Sequence, residues 1–403
     1  MAHRDVLSII FCGLSLVFVS FLFVFFYTQH QNLIQSQILK ETKAIQTYID
    51  TRFDRDKAAP VISNEHPPLE IYSSSSYPKY DSLLNIIKRW NPDNPDVPKD
   101  FKETLQHFNY SDLTQRKMAA AYRDAEVPFK LYDVPEFTQT SELWTDEYLA
   151  SQLSKDGSQH VEKSINNHFM FWNMRGQTMR DYTPPTQVVK LPFSQWLIEA
   201  YNADQNKLPN SSTHYYFMTG SPPHDNKKSF VSRDLSLFST KTNNFFITNV
   251  DANKGIQCRF SMRGIIAESH YDSGRNMVAM LKGAKRYIIS PPYTCKQLGI
   301  ISDLQHPSFR HSVIDWSDEQ QAESHHFAEV DAIDTVVHHG EVLYIPSYWL
   351  HYIVSLQYSI QCNSRSGFPP NNEGAEDIEE CVGRKKSPGG KKLRGGRRSS
   401  RQD

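Results

Sequence analysis

The sequence predicts a mainly β protein, a double-stranded β-helix (jelly roll) with flanking helices, plus one N-terminal transmembrane helix. Short strand-like runs separated by turn residues predict the jelly roll, whose barrel interior can hold one small molecule. An uncharged apolar run near the start predicts the transmembrane helix. A composition of 39% hydrophobic and 12% aromatic residues is that of a globular protein rather than a disordered one. The strand-like runs lie at 168–173, 213–218, 244–249, 264–270, 276–281, 286–290, 341–345 and 351–362.

The chain of 403 residues can hold one large domain and shorter appendages. Shifts in composition predict five parts in this order. They are a short cytosolic N-terminus at 1–5, a transmembrane signal anchor at 6–27, a stem with helices and loops at 28–126, the β domain at 127–368 and a disordered basic tail at 369–403.

The apolar run at 6–27 is long enough to cross a bilayer. A helix of this length spans about 33 Å at ~1.5 Å per residue. The run ends in Phe25-Phe26-Tyr27, without the small residues of a cleavage site, which favours an uncleaved anchor over a removed signal peptide. Arg4 favours a cytosolic N-terminus. We therefore expect a single-pass membrane protein of the endoplasmic reticulum or Golgi with its β domain in the lumen.

Other features of the chain are compatible with that placement. Asn109 and Asn210 each begin a glycosylation tripeptide, which predicts a glycoprotein. Scattered isoleucines after residue 28 favour a helical stem through which the chain can form a homodimer. The tail from 384 to 403 carries nine basic residues and one acidic residue. A basic run can bind nucleic acid, anionic lipid or an acidic partner. Because glycines interrupt this one, we interpret the tail as a solvated end and do not expect nucleic acid as a partner.

A histidine, a carboxylate and a second histidine predict a metal site. His270 and Asp272 are two residues apart, so on a strand both side chains point to the same side. His351 follows a second strand-like run and a proline turn. Two imidazoles and one carboxylate can occupy one face of an octahedral metal and leave three positions open, as in non-haem Fe(II) oxygenases. We predict these three residues as metal ligands and as the catalytic centre.

Two sequence blocks resemble the core of the JmjC/cupin-like (cupin-8) hydroxylases. The first, ESHYDSGRNMVAMLKGAKRYIISPP at 268–292, is similar to the family's pattern of HxD, a nearby Asn, a hydrophobic strand, G-x-K-R, another strand and P-P. The second, GEVLYIPSYWLHYIVS at 340–355, looks like the family's segment around the last histidine. The resemblance covers about 128–368. It implies that 127–368 is a JmjC/cupin-like catalytic domain, here in a membrane-anchored member.

The resemblance implies Fe(II), the co-substrate 2-oxoglutarate and O2. The distal carboxylate of 2-oxoglutarate needs a cationic partner inside the barrel, and Lys285 matches the family's lysine at this spacing from HxD. Lys282 is the competitor. We expect it to lie in the turn with Gly283 as a solvated charge. Lys285 is therefore the predicted co-substrate ligand.

Further pocket residues follow from the same resemblance. Asn276 and Asn363 match polar residues that can orient the co-substrate or bound oxygen. Ala267 stands where the asparaginyl-hydroxylase branch has a threonine, so a hydroxyl on the distal carboxylate must come from elsewhere. Tyr215 and Tyr216 are candidates, and we prefer Tyr216.

The predicted function is a membrane-anchored oxygenase that couples 2-oxoglutarate decarboxylation to hydroxylation of a protein or small-molecule substrate. The alternative is a non-catalytic cupin-fold binding module tethered to the membrane. The apolar segment argues against a nuclear histone demethylase.

Overall fold

The structure is a computed structural model that describes residues 24–29, 33, 36, 43, 47, 77–153, 159–174, 179, 181–369 and 373–383. Most of the predicted anchor, most of the stem before residue 77 and the tail from 384 lie outside these residues. The strands are β1 Asp81–Ser82, β2 His107–Asn109, β3 Phe129–Tyr132, β4 Gln159–Ser164, β5 His168–Phe169, β6 Gln187–Leu191, β7 His214–Ser221, β8 Ile256–Ser261, β9 Ile266–Tyr271, β10 Asn276–Lys282, β11 Ala284–Ser290, β12 Asp331–His338, β13 Val342–Ile345, β14 Leu350–Ser355 and β15 Ser359–Arg365. The helices are α1 Leu83–Arg89, α2 Leu113–Asp124, α3 Pro135–Leu143, α4 Asp146–Leu153, α5 Phe193–Asn206, α6 Phe230–Asp234, α7 Glu319–Ser324 and α8 Glu373–Cys381.

Strands β8 to β15 form the barrel. One sheet contains β8, β15, β10 and β13, and the other contains β9, β14, β11 and β12, all paired antiparallel. The chain passes back and forth between the sheets, which is the arrangement of a double-stranded β-helix. Strands β2 and β3 extend the first sheet at one edge, and β7, β4 and β6 extend it at the other. This mainly β architecture with flanking helices fits the part of the prediction that concerns the β domain.

The predicted transmembrane helix is wrong as part of the fold, and so is the placement as a single-pass membrane protein derived from it. Within the described ranges, no helix has both the length and the apolar character that a membrane crossing requires. Of the predicted segment 6–27, the structure describes only 24–27, in a helical stretch that ends at residue 29.

Side chains alternate between the barrel interior and the helices outside it. On β8, Cys258 and Phe260 face the outer core, whereas Arg259 and Ser261 face the interior. The outer face of the first sheet packs against α3, α4 and α5 through a large aromatic cluster. Apolar side chains of both sheets, including Tyr287, pack together inside the barrel. The open end retains a polar cavity.

Several strands, among them β4, β6 and β8, lie outside the predicted runs, and two failures of the strand prediction have identifiable reasons. Residues 244–249 form no strand. Phe246 and Ile247 are buried in a loop, where the Asn244 side chain accepts hydrogen bonds from two backbone amides. Strand β12 is absent from the sequence prediction because charged residues interrupt its apolar pattern. Its Asp334 is buried and accepts two hydrogen bonds from the Arg286 guanidinium at 2.7 and 2.8 Å.

Two disulfides involve the four cysteines outside the predicted anchor. Cys258 and Cys362 are register partners on β8 and β15, and Cys295 joins Cys381 at the end of α8. Helix α8 falls within the range predicted as a disordered tail. Its Ile378 is buried beneath the second sheet, which together with the disulfide explains why this part of the tail is ordered.

Candidate functional site

The two histidines and the aspartate of the sequence motif come together at the open end of the barrel. His270 on β9 and His351 on β14 are direct register partners, so their rings lie side by side with centroids 4.2 Å apart. Asp272 follows β9, and its Oδ2 lies 3.9 Å from His351 Nε2. One ligand atom from each residue lies within 4.8 Å of the other two. The pairing of β9 with β14 thus brings together residues that are about 80 positions apart in the sequence.

Both histidines have their Nε2 atoms free to bind a metal. The Nδ1 of His270 donates to the Glu268 backbone carbonyl at 2.8 Å, and the Nδ1 of His351 donates to the Trp349 carbonyl at 3.1 Å. A carbonyl can only accept, which fixes the proton on Nδ1. Burial lowers the pKa of both imidazoles below the ordinary range. Each is therefore neutral at physiological pH, the form that ligates metals.

Asp272 is held as a carboxylate by two arginines. Burial would raise its pKa, but Arg365 and Arg310 outweigh that effect and keep the pKa well below its ordinary value. Arg365 Nη1 donates a short hydrogen bond to Asp272 Oδ1, and Arg310 Nη1 donates to the same oxygen at 3.1 Å. The second carboxylate oxygen faces the histidines.

Asn276 and Asn363 form an amide chain that ends at Asp272. The Asn363 amide donates to Asn276 Oδ1 at 2.9 Å, and Asn276 Nδ2 lies 3.4 Å from Asp272 Oδ2. Both asparagines are nearly fully buried and line the same cavity as the triad. The structure therefore places both predicted amides beside the predicted ligands.

Lys285 lies deeper in the barrel. Its side chain is 0% exposed, its Nζ donates to Ser261 Oγ at 2.7 Å, and it lies 5.4 Å from the centre of the Tyr216 ring. Across the part of the chain that the structure covers, no carboxylate forms an ion pair with it. Burial lowers its pKa well below the ordinary value, and Arg259 lowers it further. An anionic ligand at this place would restore the charge.

Lys282 and Tyr215, the alternatives to Lys285 and Tyr216 as co-substrate ligands, do not face the cavity. Lys282 lies outside the barrel, where its Nζ pairs with Asp146 Oδ1 at 2.6 Å and lies over the Tyr358 ring. It is therefore an ion-pair partner of a buried carboxylate rather than a solvated charge. Tyr215 packs against the outer core, and Tyr216 faces the cavity. Lys282 ends β10 whereas Lys285 lies on β11, and alternation along β7 separates Tyr215 from Tyr216.

Several residues at this site were missed by sequence reasoning. Arg259 and Ser261 could have been found, because polar residues alternate with apolar ones along β8. Arg310 and His311 come from the long connection between β11 and β12, and no periodic pattern marks them. His311 is buried and stacks on His270 with centroids 4.9 Å apart.

Beside β9, a partly buried ion pair supports the strand that carries His270. His168 Nδ1 lies 2.5 Å from Glu268 Oε1, and its Nε2 lies 3.5 Å from Asp93 Oδ1. Burial would lower the pKa of His168, but the two carboxylates raise it to about 10. In the folded protein this imidazole is therefore charged at neutral pH.

This pair predicts a loss of stability in mildly alkaline solution. The folded pKa of His168 is about 10 and its ordinary value is 6.5, so its stabilising effect is complete below pH ~6.5 and is lost as pH rises to about 10. We expect the melting temperature of wild type to fall more over this range than that of His168→Gln. Calorimetric scans at several pH values measure the difference, and parallel pH profiles would contradict the assignment.

Comparison with known proteins gives one family and two distant relatives. The cupin-like domain family (Cupin_8) matches residues 115–364. The tRNA wybutosine-synthesizing protein 5 of Danio rerio is 22% identical over 273 residues, which cover 66% of this chain and 76% of that protein. The lysine-specific demethylase JMJ30 of Arabidopsis thaliana is 28% identical over 101 residues, which cover 25% of this chain and 23% of that protein. The first alignment thus spans most of the relative, and the second about a quarter of it.

Proposed function

Since this chain belongs to the cupin-like domain family, which matches more than half of its residues, we propose that it is an Fe(II)- and 2-oxoglutarate-dependent oxygenase of the JmjC type. It would use O2 and couple decarboxylation of 2-oxoglutarate to hydroxylation of a second substrate. The names of the two relatives describe a tRNA-modifying protein and a lysine demethylase. Both names support an enzyme that modifies another molecule.

The observation that carries the proposal is the donor set at the mouth of the barrel. Two neutral imidazoles direct their Nε2 atoms toward the cavity, and one ionised carboxylate lies beside them. All three ligands are on one side of the cavity, and the opposite side is open. This set fits an octahedral divalent metal with part of its coordination sphere free, and it fits Fe(II) among the metals that use it. When bound, iron supplies the redox chemistry that amino-acid side chains lack.

The protein residues would bind and orient the co-substrate. Lys285 would bind its distal carboxylate through a charge-assisted hydrogen bond, with Ser261 and Tyr216 beside the ammonium group. Ser261 supplies the hydroxyl that Ala267 cannot. Asn276 and Asn363 would orient polar groups near the metal. The apolar floor of the cavity would exclude water.

A non-catalytic binding module is the alternative, and one titration separates the two. We expect anaerobic addition of 2-oxoglutarate to the Fe(II)-loaded protein to produce a metal-to-ligand charge-transfer band in the visible spectrum, because both must chelate together. Admission of air should then convert 2-oxoglutarate to succinate. A protein that binds iron but gives neither the band nor succinate would support the binding module.

A further inference from the structure

Two arginines lie at the mouth of the cavity, beyond what the proposed activity requires. Arg310 and Arg365 both line the cavity and both contact Asp272. Arg365 is the last residue of β15, whereas Ser359 at the start of that strand pairs with Ser261 near Lys285. Six residues of strand separate these ends by about 20 Å of backbone. The two arginines are thus at the opposite end of the barrel from Lys285.

The arginines are not neutralised by the residues around them. Two guanidinium groups share the single carboxylate of Asp272, which leaves one net positive charge. Elsewhere in the described chain, no acidic group lies within ion-pair distance of either arginine. Glu268, which also lines the cavity, is occupied by His168. A bound divalent metal would add more positive charge to this end of the cavity.

Arg310 also has an unused donor. Its Nη1 donates to Asp272 and to the Tyr271 carbonyl, but its buried Nε has no hydrogen-bond partner. Buried guanidinium donors are normally satisfied, because an unpaired one is costly. Arg310 has a φ of +78°, which is uncommon for a residue with a side chain. Strained residues of this kind are concentrated at functional sites.

The segment that carries Arg310 is attached to the metal-binding strand. Ser312 N donates to the Ser269 carbonyl at 2.9 Å, and the backbone of His311 forms an isolated antiparallel β-bridge with that of His270. His311 Nδ1 lies 3.2 Å from the Ser308 carbonyl, so this nitrogen is the donor. The guanidinium of Arg310 is fixed beside the triad before any ligand binds.

We propose that Arg310 and Arg365 bind a carboxylate group of the prime substrate beside the metal-binding triad. A planar guanidinium matches a carboxylate in shape, and one net positive charge matches a monoanion. The inference rests on the proposed function, because it assumes that the cavity holds a second substrate next to 2-oxoglutarate. The competing explanation is that the two arginines bind a carboxylate of 2-oxoglutarate instead, since the co-substrate could reach them.

Acetate and acetamide distinguish these possibilities, since they share size and shape and differ in charge. The full chain is loaded with Mn²⁺, which prevents turnover, and with saturating 2-oxoglutarate. Dissociation constants of both probes are measured by proton relaxation, which Mn²⁺ enhances for molecules bound close to it. We expect acetate to bind at least about tenfold more tightly than acetamide, and we expect Arg310→Gln to remove that preference. Arg259→Gln, a matched change on another wall of the cavity, should leave it intact.

The affinity for 2-oxoglutarate, measured on the same proteins, distinguishes failure of the carboxylate site from failure of the proposed function. Equal binding of acetate and acetamide to wild type, with 2-oxoglutarate bound normally, would overturn the carboxylate site alone. If Arg310→Gln weakens 2-oxoglutarate as much as acetate, the arginines serve the co-substrate and the inference is wrong. Absence of 2-oxoglutarate binding to the wild-type Mn²⁺ protein would instead overturn the proposed function. Melting curves of each variant identify any loss of fold.

Discussion

Asp272→Asn is expected to weaken Fe(II) or Mn²⁺ binding by at least about 100-fold and to abolish succinate formation. Asp272 is the only anionic member of the triad, and its neighbours Arg365 and Arg310 keep it ionised. Loss of residues that merely support metal ligands costs about 10- to 100-fold in affinity, so loss of the charged ligand should cost at least as much. Asparagine keeps the shape of the side chain but leaves two neutral imidazoles to hold the metal.

Calorimetric titration of Mn²⁺ measures this effect without turnover. Lys285→Met is the matched control, since it removes a buried amine from the same barrel without altering a ligand, and its Mn²⁺ affinity should equal that of wild type. A melting temperature for Asp272→Asn within a few degrees of wild type would show that the loss is local. Wild-type metal affinity or succinate production in Asp272→Asn would contradict the triad.

Lys285→Met is expected to raise the dissociation constant of 2-oxoglutarate by about 10- to 100-fold. The Lys285 side chain is fully buried in the barrel, and within the described ranges its amine has a hydroxyl but no carboxylate as a partner. A hydrogen bond to a charged group contributes about 1.5–3 kcal/mol, and ~1.4 kcal/mol corresponds to tenfold. Titration of 2-oxoglutarate into the Mn²⁺-loaded protein measures the change.

Lys282→Met is the control for the position of the lysine inside or outside the barrel. Its ammonium lies outside the barrel and pairs with Asp146, a buried carboxylate that two tyrosines also contact. Its removal should lower the melting temperature, because Asp146 loses its cation, and it should leave 2-oxoglutarate affinity unchanged. A larger co-substrate defect in Lys282→Met than in Lys285→Met would show that the interior assignment of Lys285 and the exterior assignment of Lys282 are reversed.

Local periodicity explains why the central elements of the site could be predicted. His270 and Asp272 face one way because side chains alternate along a strand, and a one-residue shift would have turned both away from the barrel. The same alternation places Lys285 inside with Tyr287. The jelly roll follows from many short strands with turns between them. These features depend on neighbours within a few residues and on motif blocks that resemble a family.

Long-range charge pairing could not be predicted in this way. Arg365 is 93 residues from Asp272 along the chain, and Arg310 is 38 residues away. Strand β12 was missed because its Asp334 is compatible with burial only when Arg286, 48 residues away, supplies two hydrogen bonds. The prediction of a membrane helix had the opposite weakness, because it used only a local property, the apolar length of one segment.

By itself, the sequence determined the β domain, the identity of the three candidate ligands and the cationic residue expected inside the barrel. Only the tertiary structure decided which groups surround them: Ser261 beside Lys285, His311 against His270, and the two arginines on Asp272. The physical reason is that alternation along a strand is a local property of the chain. Burial of a charge depends on partners that the fold brings from distant strands and loops, and their energy outweighs any local preference.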